Sequence, residues 1–362
     1  NGQLISLYSD AYKLTQNPLY KEIIEKSLDF VNKEWKTTEG GFYSALDADS
    51  LNDKRHLEEG AFYVWKIDQL KELIKEDFEL FSQLFNINSF GLWEEGNYVL
   101  IQNQSLETIA KLNHLSLTEL AGKKKNWEQL LYTEREKRAK PRLDDKCLTS
   151  WNAIMLKGYV DAYKALGNQD YLNAAIANAN FIIKNLWSNE GHLFHSYKIG
   201  ISSINGYLED YCFVIAAFIA LYEVTLEEKW LHDAKQLTDY TLEHFYDAEQ
   251  AFFRFTSDKD DALISVHFET EDNVIPASNS VMAKNLNQLG IYFNNSYYEK
   301  VSRQMLTVLL PIIDYPSAYS NWLDLSLTLS EQNRELAICG PNAKEMNTII
   351  TGLYLPNVIV AG

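Results

Sequence analysis

Tyr211–Val224 reads YCFVIAAFIALYEV, fourteen residues with one charge, Glu223. A helix with no polar face is buried on every side. At fourteen residues the run falls short of the ~20 needed to span a bilayer. The next helical stretch differs. After Trp230, Ala234, Leu237, Thr241 and Phe245 fall on one stripe, with Asp233, Lys235 and Glu243 elsewhere, so one face meets water. A buried helix is thus followed by an amphipathic one.

The same pairing recurs. Tyr222 and Trp230 stand eight apart, as do Tyr12 and Tyr20, and Tyr163 and Tyr171, with Leu289 and Tyr297 a weaker copy. A step of twenty-two leads from Tyr20 to Phe42, from Tyr171 to Leu193 and from Trp230 to Phe252, each inside a strand-like run: GGFYS, HLFHSY and AFFRF. The unit is helix, short turn, helix, short strand. Four hairpins follow: Leu4–Trp35, Leu148–Leu186, Tyr211–Phe245 and Ser278–Leu310. Repeated hairpins with apolar inner helices predict a mainly α fold, an α/α toroid with short β-hairpins. It occupies 1–330, with an insertion at about 51–140 holding a helix near Ile67–Phe85, a strand near Tyr98–Ile101 and a helix near Leu117–Arg138. Beyond it, 331–362 reads as a partial β-α-β segment: strand Glu335–Gly340, helix Asn342–Leu353, strand Asn357–Gly362.

Composition sets the outer limits. At 46% apolar and 13% aromatic, 362 residues bury a large core. A net charge of −17 argues against nucleic acid and anionic membranes as partners. Cys147, Cys212 and Cys339 are few and far apart, which reads as buried free thiols in a reducing, cytoplasmic setting. No cofactor fingerprint, phosphate loop or G-x-S-x-G elbow occurs. Asp47-x-Asp49 fails the EF-hand pattern at Leu51, so no metal is expected.

In a toroid the inner helices run the same way, so their N-termini share one mouth. The segments entering those helices are polar: PRLDDKCLTSWN (141–152), GYLEDYCF (206–213) and IPASNS (275–280). They place Arg142, Asp144, Asp145, Lys146, Trp151, Asn152, Glu209, Asp210, Tyr211, Ser278 and Asn279 at that mouth. GGFYSALDADS (40–50) and EEGAFYVW (58–65) add Asp47, Asp49, Glu58 and Glu59 between two aromatic strands. Capping accounts for one such residue per helix. It does not account for the doublets Asp144–Asp145 and Glu209–Asp210 beside Trp151 and Tyr211. Of the seven histidines, only His56 and His267 are expected near the mouth; His192 and His195 lie on a strand of undetermined facing.

These motifs, with EKRAKPRLDDKCLTSWNAIM and IPASNSVMAKNL, in this order resemble the spermatogenesis-associated thioredoxin-like family. The resemblance implies a thioredoxin-fold domain joined to a six-hairpin α/α toroid similar to N-acylglucosamine 2-epimerases and six-hairpin glycosidases. The thioredoxin domain and first hairpins have no counterpart in these residues, so the chain reads as a piece of a longer protein, with that domain and those hairpins as partners.

The chemistry expected is that of a carbohydrate-active enzyme. Hydrolysis needs two carboxylates about 5–10 Å apart, expected from Asp47 or Asp49 with Asp145 or Asp210. Trp151 and Tyr211 would stack on the sugar; Glu58, Arg142, Asp144, Lys146, Asn152, Glu209, Ser278 and Asn279 would bind it. An epimerase needs bases on both faces of a carbon, typically histidines; the mouth motifs hold none, which ranks it below hydrolysis. The other alternative is a non-catalytic scaffold that binds a ligand or partner for the thioredoxin-like domain. A redox role for Cys147 or Cys212 is disfavoured by apolar surroundings.

Overall fold

The computed structural model describes residues 1–261, 264–331 and 334–362. It divides into two compact units, residues 1–44 with 145–362, and residues 45–144. The larger is an α/α toroid of helical hairpins. Its inner helices are Gly2–Thr15, Thr149–Leu166, Leu208–Thr225 and Ser278–Tyr292; its outer helices are Pro18–Glu34, Gln169–Asn185, Glu228–His244 and Ser296–Leu309. Inner helices pack side by side in chain order, and each outer helix packs on its own inner partner.

The turns within the hairpins share a design. The inner helix ends on a left-handed residue: Gln16, Gly167 and Leu226 (φ 55°, 67° and 56°). An extended residue then opens the outer helix, and Asn17 and Asn168 there accept the N–H of Leu19 and Asp170. Two residues thus reverse the chain with the new helix already capped. That geometry fixes the spacing of eight between the aromatic pairs.

Contacts along the inner helices show that they run parallel. Near the N-termini, Ser150 N–H donates to Asp210 (2.9 Å), and from mid-helix Asn285 Nδ2 donates to the Cys212 carbonyl (2.7 Å). Near the C-termini, Lys164 pairs with Glu223 (2.7 Å). The first two helices approach closely through glycine: a Cβ on Gly158 would sit 2.9 Å from the Gly2 carbonyl oxygen and 3.2 Å from its Cα. Gly158→Ala would force these backbones apart. It is expected to cost about 1–3 kcal/mol, read from the urea midpoint.

The twenty-two-residue step holds for Phe42, bridged to Lys36, and Leu193, bridged to Trp187. In the third hairpin the equivalent partner of Tyr246 is Phe253, not Phe252. The turn there holds one extra residue, with Ala251 left-handed (φ 59°). A further helix absent from the expected pattern, Ser320–Ser330, carries buried Trp322 and Leu325 and packs on the fourth inner helix. Parallel strands Arg334–Ala337 and Val358–Ala361 flank helix Ala343–Thr351, whose Asn347 caps the end of the third inner helix at the Glu223 carbonyl (2.9 Å).

The smaller unit has its own core, with Trp65, Leu70, Phe81, Leu84, Trp127 and Leu131 among its buried residues. The helix expected over Ile67–Phe85 is two helices, Ile67–Ile74 and Phe78–Phe85, because Lys75 breaks it at φ 56°. Short antiparallel pairs join Ala45–Leu46 to Leu143–Asp144 and Asp49–Leu51 to Leu57–Glu59. Arg138 donates to the carbonyls of Ala61, Phe62 and Val64 and lies over the Trp65 ring.

Cys147 and Cys212 are buried free thiols, but Cys339 is exposed. Burial pushes Cys147 up to about 12 and Cys212 well above its ordinary value, so neither forms a thiolate readily. Among the described residues no helix is long and apolar enough to cross a membrane.

Candidate active site at the mouth of the inner helices

Three elements of the larger unit meet at the mouth. Strand Phe194–Lys198, between Cys147–Leu148 and Ile201–Asn205, carries His195. The third inner helix opens with Leu208, Glu209 and Asp210, and the second supplies Ser150. Asp210 is fully buried, and both its oxygens are engaged. Oδ1 accepts Ser150 N–H; Oδ2 accepts Tyr207 N–H and faces His195 Nδ1, all at 2.9 Å. Glu209 Oε1 accepts the Ser150 hydroxyl at 3.1 Å. Ligand atoms of His195, Glu209 and Asp210 lie within 4.8 Å of one another.

This packing concentrates protons. Burial works against charge on His195, but the hydrogen bond and charge of Asp210, with Glu209 behind it, outweigh burial and raise its pKa. Burial, then the adjacent Asp210 charge, raises Glu209. Burial also raises Asp210, against His195 and the two backbone N–H groups. The cluster therefore holds a proton more tightly than its groups would in water. With Nδ1 committed to Asp210, Nε2 is the nitrogen left for proton transfer.

Aromatic rings extend from it. His195 packs against Tyr207 (centroids 4.8 Å apart), Tyr207 stacks on Phe255 (5.0 Å, 16°), and His267 meets the Phe255 edge (5.9 Å). Trp151, in the first turn of the second inner helix, is 45% exposed.

Several expected site residues have other work. Tyr211 is fully buried, its ring against Tyr240 and Phe245 and its hydroxyl accepting the Leu193 N–H (2.9 Å), so it cannot offer a face to a sugar. Asn152 is buried and brackets Phe42, accepting its N–H (2.7 Å) and donating to its carbonyl (3.0 Å). Asn279 treats Phe253 identically, at 2.8 and 2.9 Å. Both asparagines hold backbone, not ligand. Ser278 is buried, and its N–H donates to Glu269 Oε2 (3.0 Å). Asp145 pairs with Lys198 (2.6 Å), which holds its carboxyl below the usual range; an ion-paired carboxylate makes a poor general acid. The Lys146 carbonyl accepts the N–H and hydroxyl of Ser44.

Asp47, Asp49, Glu58, Arg142 and Asp144 belong to the smaller unit. Arg142 grips Asp47 Oδ2 through Nη2 (2.7 Å) and Nε (3.1 Å), holding that carboxyl low. Asp49 and Asp144 lie on the short strands, paired with Glu59 and Ala45. Glu58 accepts from Asn52 Nδ2 (2.7 Å).

His195 and Tyr207, which the structure places in this candidate site, were not among the residues expected there. His195 lies two residues beyond Leu193, whose N–H reaches Tyr211 of the next inner helix, so the facing they share is visible only in the folded chain. His192 instead meets Ser188 (2.9 Å).

No family model matches the chain. It is similar to spermatogenesis-associated protein 20 of Homo sapiens, 27% identical over 99% of this chain and 50% of that protein. An uncharacterised protein of Caenorhabditis elegans is 29% identical over 83% of this chain and 45% of its own length. The chain spans about half the length of these curated relatives. The resemblance to spermatogenesis-associated proteins thus extends along essentially the whole chain. Similar solved structures include a GH76 alpha-mannanase from Bacteroides thetaiotaomicron (13% identity, TM-score 0.44, 95% of this chain and 85% of that one). Another is a cellobiose 2-epimerase from Bacillus thermoamylovorans (12%, TM-score 0.41, 78% and 68%).

Proposed function

We propose that the larger unit is an acid–base enzyme acting on a carbohydrate, with His195 as the proton carrier, Asp210 orienting it and Glu209 as the second exchanging group. The observation that carries this reading is the His195–Asp210 hydrogen bond with Glu209 beside it at the mouth. Proton transfer at a sugar carbon, as in isomerisation or epimerisation, suits the cluster better than two-carboxylate hydrolysis. Hydrolysis needs both carboxylates to face the glycosidic bond. Asp210 has both oxygens turned to protein donors, and Asp145 is tied to Lys198. A histidine and a glutamate with raised pKa values are matched to moving a proton near neutral pH. Tyr207, backed by Phe255, and exposed Trp151 supply ring faces of the kind that sugars stack on.

The direct test is proton exchange. A panel of aldoses, ketoses and disaccharides is incubated with the chain in D2O and followed by proton NMR. Loss of a carbon-bound proton signal next to the carbonyl carbon is expected with the native protein and not with His195→Asn. No exchange from any sugar would sink the reading and favour a binding scaffold.

A further inference from the structure

The hairpin that carries His195 holds isoleucine at two places that suit glycine or asparagine. Strands Phe194–Lys198 and Ile201–Asn205 pair Phe194 with Asn205, Ser196 with Ser203 and Lys198 with Ile201. That register sets Ile204 directly across from His195. Ile204 is left-handed (φ 63°), and so is Ile199 (φ 48°) in the two-residue turn it makes with Gly200 (φ 80°). Such turns favour Asn-Gly. A β-branched residue rarely adopts this conformation, because its side chain crowds the backbone; glycine and asparagine tolerate it.

The hairpin is held by other residues. Gly206 N–H donates to the Leu193 carbonyl (2.7 Å), the Tyr197 hydroxyl to Glu39 (2.8 Å) and Asn205 Nδ2 to Asp260 (2.9 Å). Ile199, Ile201 and Ile204 are 80%, 69% and 54% exposed, so the core does not account for them. Strain that persists beside reacting groups points to use. Along Ile201–Asn205 the alternation of outward and inward residues breaks at Ile204, which is exposed together with Ser203 and Ile201. The left-handed backbone thus brings an isoleucine outward at the level of the proton carrier. Three residues on, Tyr207 packs against the His195 ring. From Ile204 to Ile201 is about 10 Å of strand, the reach of an alkyl chain of roughly eight carbons. Between them the Ser203 hydroxyl is turned to that of Ser196 (3.1 Å), and the neighbouring cation Lys198 is paired with Asp145. An isoleucine side chain has no donor or acceptor for a sugar hydroxyl, so its match is hydrocarbon.

We infer that Ile204 is a specificity-determining residue of the His195 site: it contacts an aliphatic group carried by the sugar, Ile201 extends that contact outward, and the substrate is a sugar acylated on a hydroxyl away from the reacting carbon. This deepens the acid–base reading and rests on it for the place of the reacting carbon, beside His195. The strain is then explained, because glycine or asparagine at 204 would relax the backbone and lose the contact.

The test is calorimetric titration of the native chain with glucose and mannose and with their 6-O-acetyl, 6-O-butanoyl and 6-O-octanoyl esters. For at least one sugar, affinity is expected to climb with chain length, by up to about threefold per methylene buried, so that the octanoyl ester binds tenfold or more tighter than the parent. Ile204→Gly and Ile204→Asn should each erase most of that advantage while the urea midpoint holds or rises, since both residues accept the left-handed backbone. Ile201→Ser should trim the octanoyl ester's affinity more than the acetyl ester's. Equal affinity of esters and parents, an advantage that survives in both Ile204 variants, or a marked fall in their urea midpoints would overturn the inference. So would native-chain binding to phosphatidylcholine vesicles, or a dimer in sedimentation, that Ile201→Ser abolishes, because the isoleucines would then meet a lipid surface or a second copy. If His195-dependent proton exchange occurs without an ester advantage, the Ile204 assignment fails alone. If the advantage depends on Ile204 but no sugar or ester exchanges protons, the acid–base reading fails and the aliphatic contact stands.

Discussion

His195→Asn is expected to lower the rate of sugar proton exchange by about 10²–10⁴-fold, the usual worth of a positioned acid or base. The folded state should survive, because His195 is not fully buried and Asp210, its hydrogen-bond partner, keeps two backbone donors. Asp210→Asn tests the dyad differently, through pH. His195 acts as a base only when neutral, so exchange should rise with pH through its raised pKa and level off above it. Removing the Asp210 anion removes the main attraction holding that proton. The acid limb of the profile should therefore move to lower pH in Asp210→Asn, while the plateau rate falls as the ring loses its orientation. A purely structural Asp210 would lower the melting temperature of this variant and leave the limb where it was. Rate–pH profiles of the native protein and both variants separate these cases.

Most of the toroid could be read from spacing, because the physics that sets it is local. A left-handed residue and a cap reverse the chain in two residues, so Tyr12/Tyr20 and Tyr163/Tyr171 repeat at the same interval in sequence and in space. The inner-helix N-termini were readable for the same reason: burial requires Thr149–Leu166 and Leu208–Thr225 to be apolar, and polar residues stand out where each begins. The roles of those residues were not readable. Asp145 and Asp210 are the same side chain near the start of inner helices. One meets Lys198 on a neighbouring strand, the other His195 and Ser150, and only tertiary packing decides which. His195 was hidden because a strand's facing depends on register, and a slip of one residue reverses it. The third hairpin shows how small the margin is: one extra turn residue moved the pinned position from Phe252 to Phe253.

The asparagines expected as ligand contacts yield the second large prediction. After each hairpin the chain returns beside the next inner helix at a residue shut away from water: Phe42, Leu193 and Phe253 are 3%, 0% and 0% exposed. Buried backbone N–H and carbonyl groups must find partners. Asn152, Tyr211 and Asn279 supply them from the first turn of that helix. Asn152 does most, since it also donates to the Leu148 carbonyl (2.8 Å) and accepts from Asn178 (2.9 Å). Each buried group left unpaired costs roughly 1–3 kcal/mol. Asn152→Ala orphans several groups at once and is expected to lose about 3–5 kcal/mol. Asn279→Ala should lose nearly as much, because it also holds the Glu269 carbonyl (3.0 Å). Tyr211→Phe strands the Leu193 N–H and removes the hydrogen bond between the Tyr211 and Tyr240 hydroxyls, and should lose about 1–2 kcal/mol. Urea unfolding of the three variants gives this order directly, provided the slopes stay constant. Sugar affinity measured well below the unfolding transition should be unchanged in Tyr211→Phe. A variant that kept full stability but lost affinity would return its residue to the binding site.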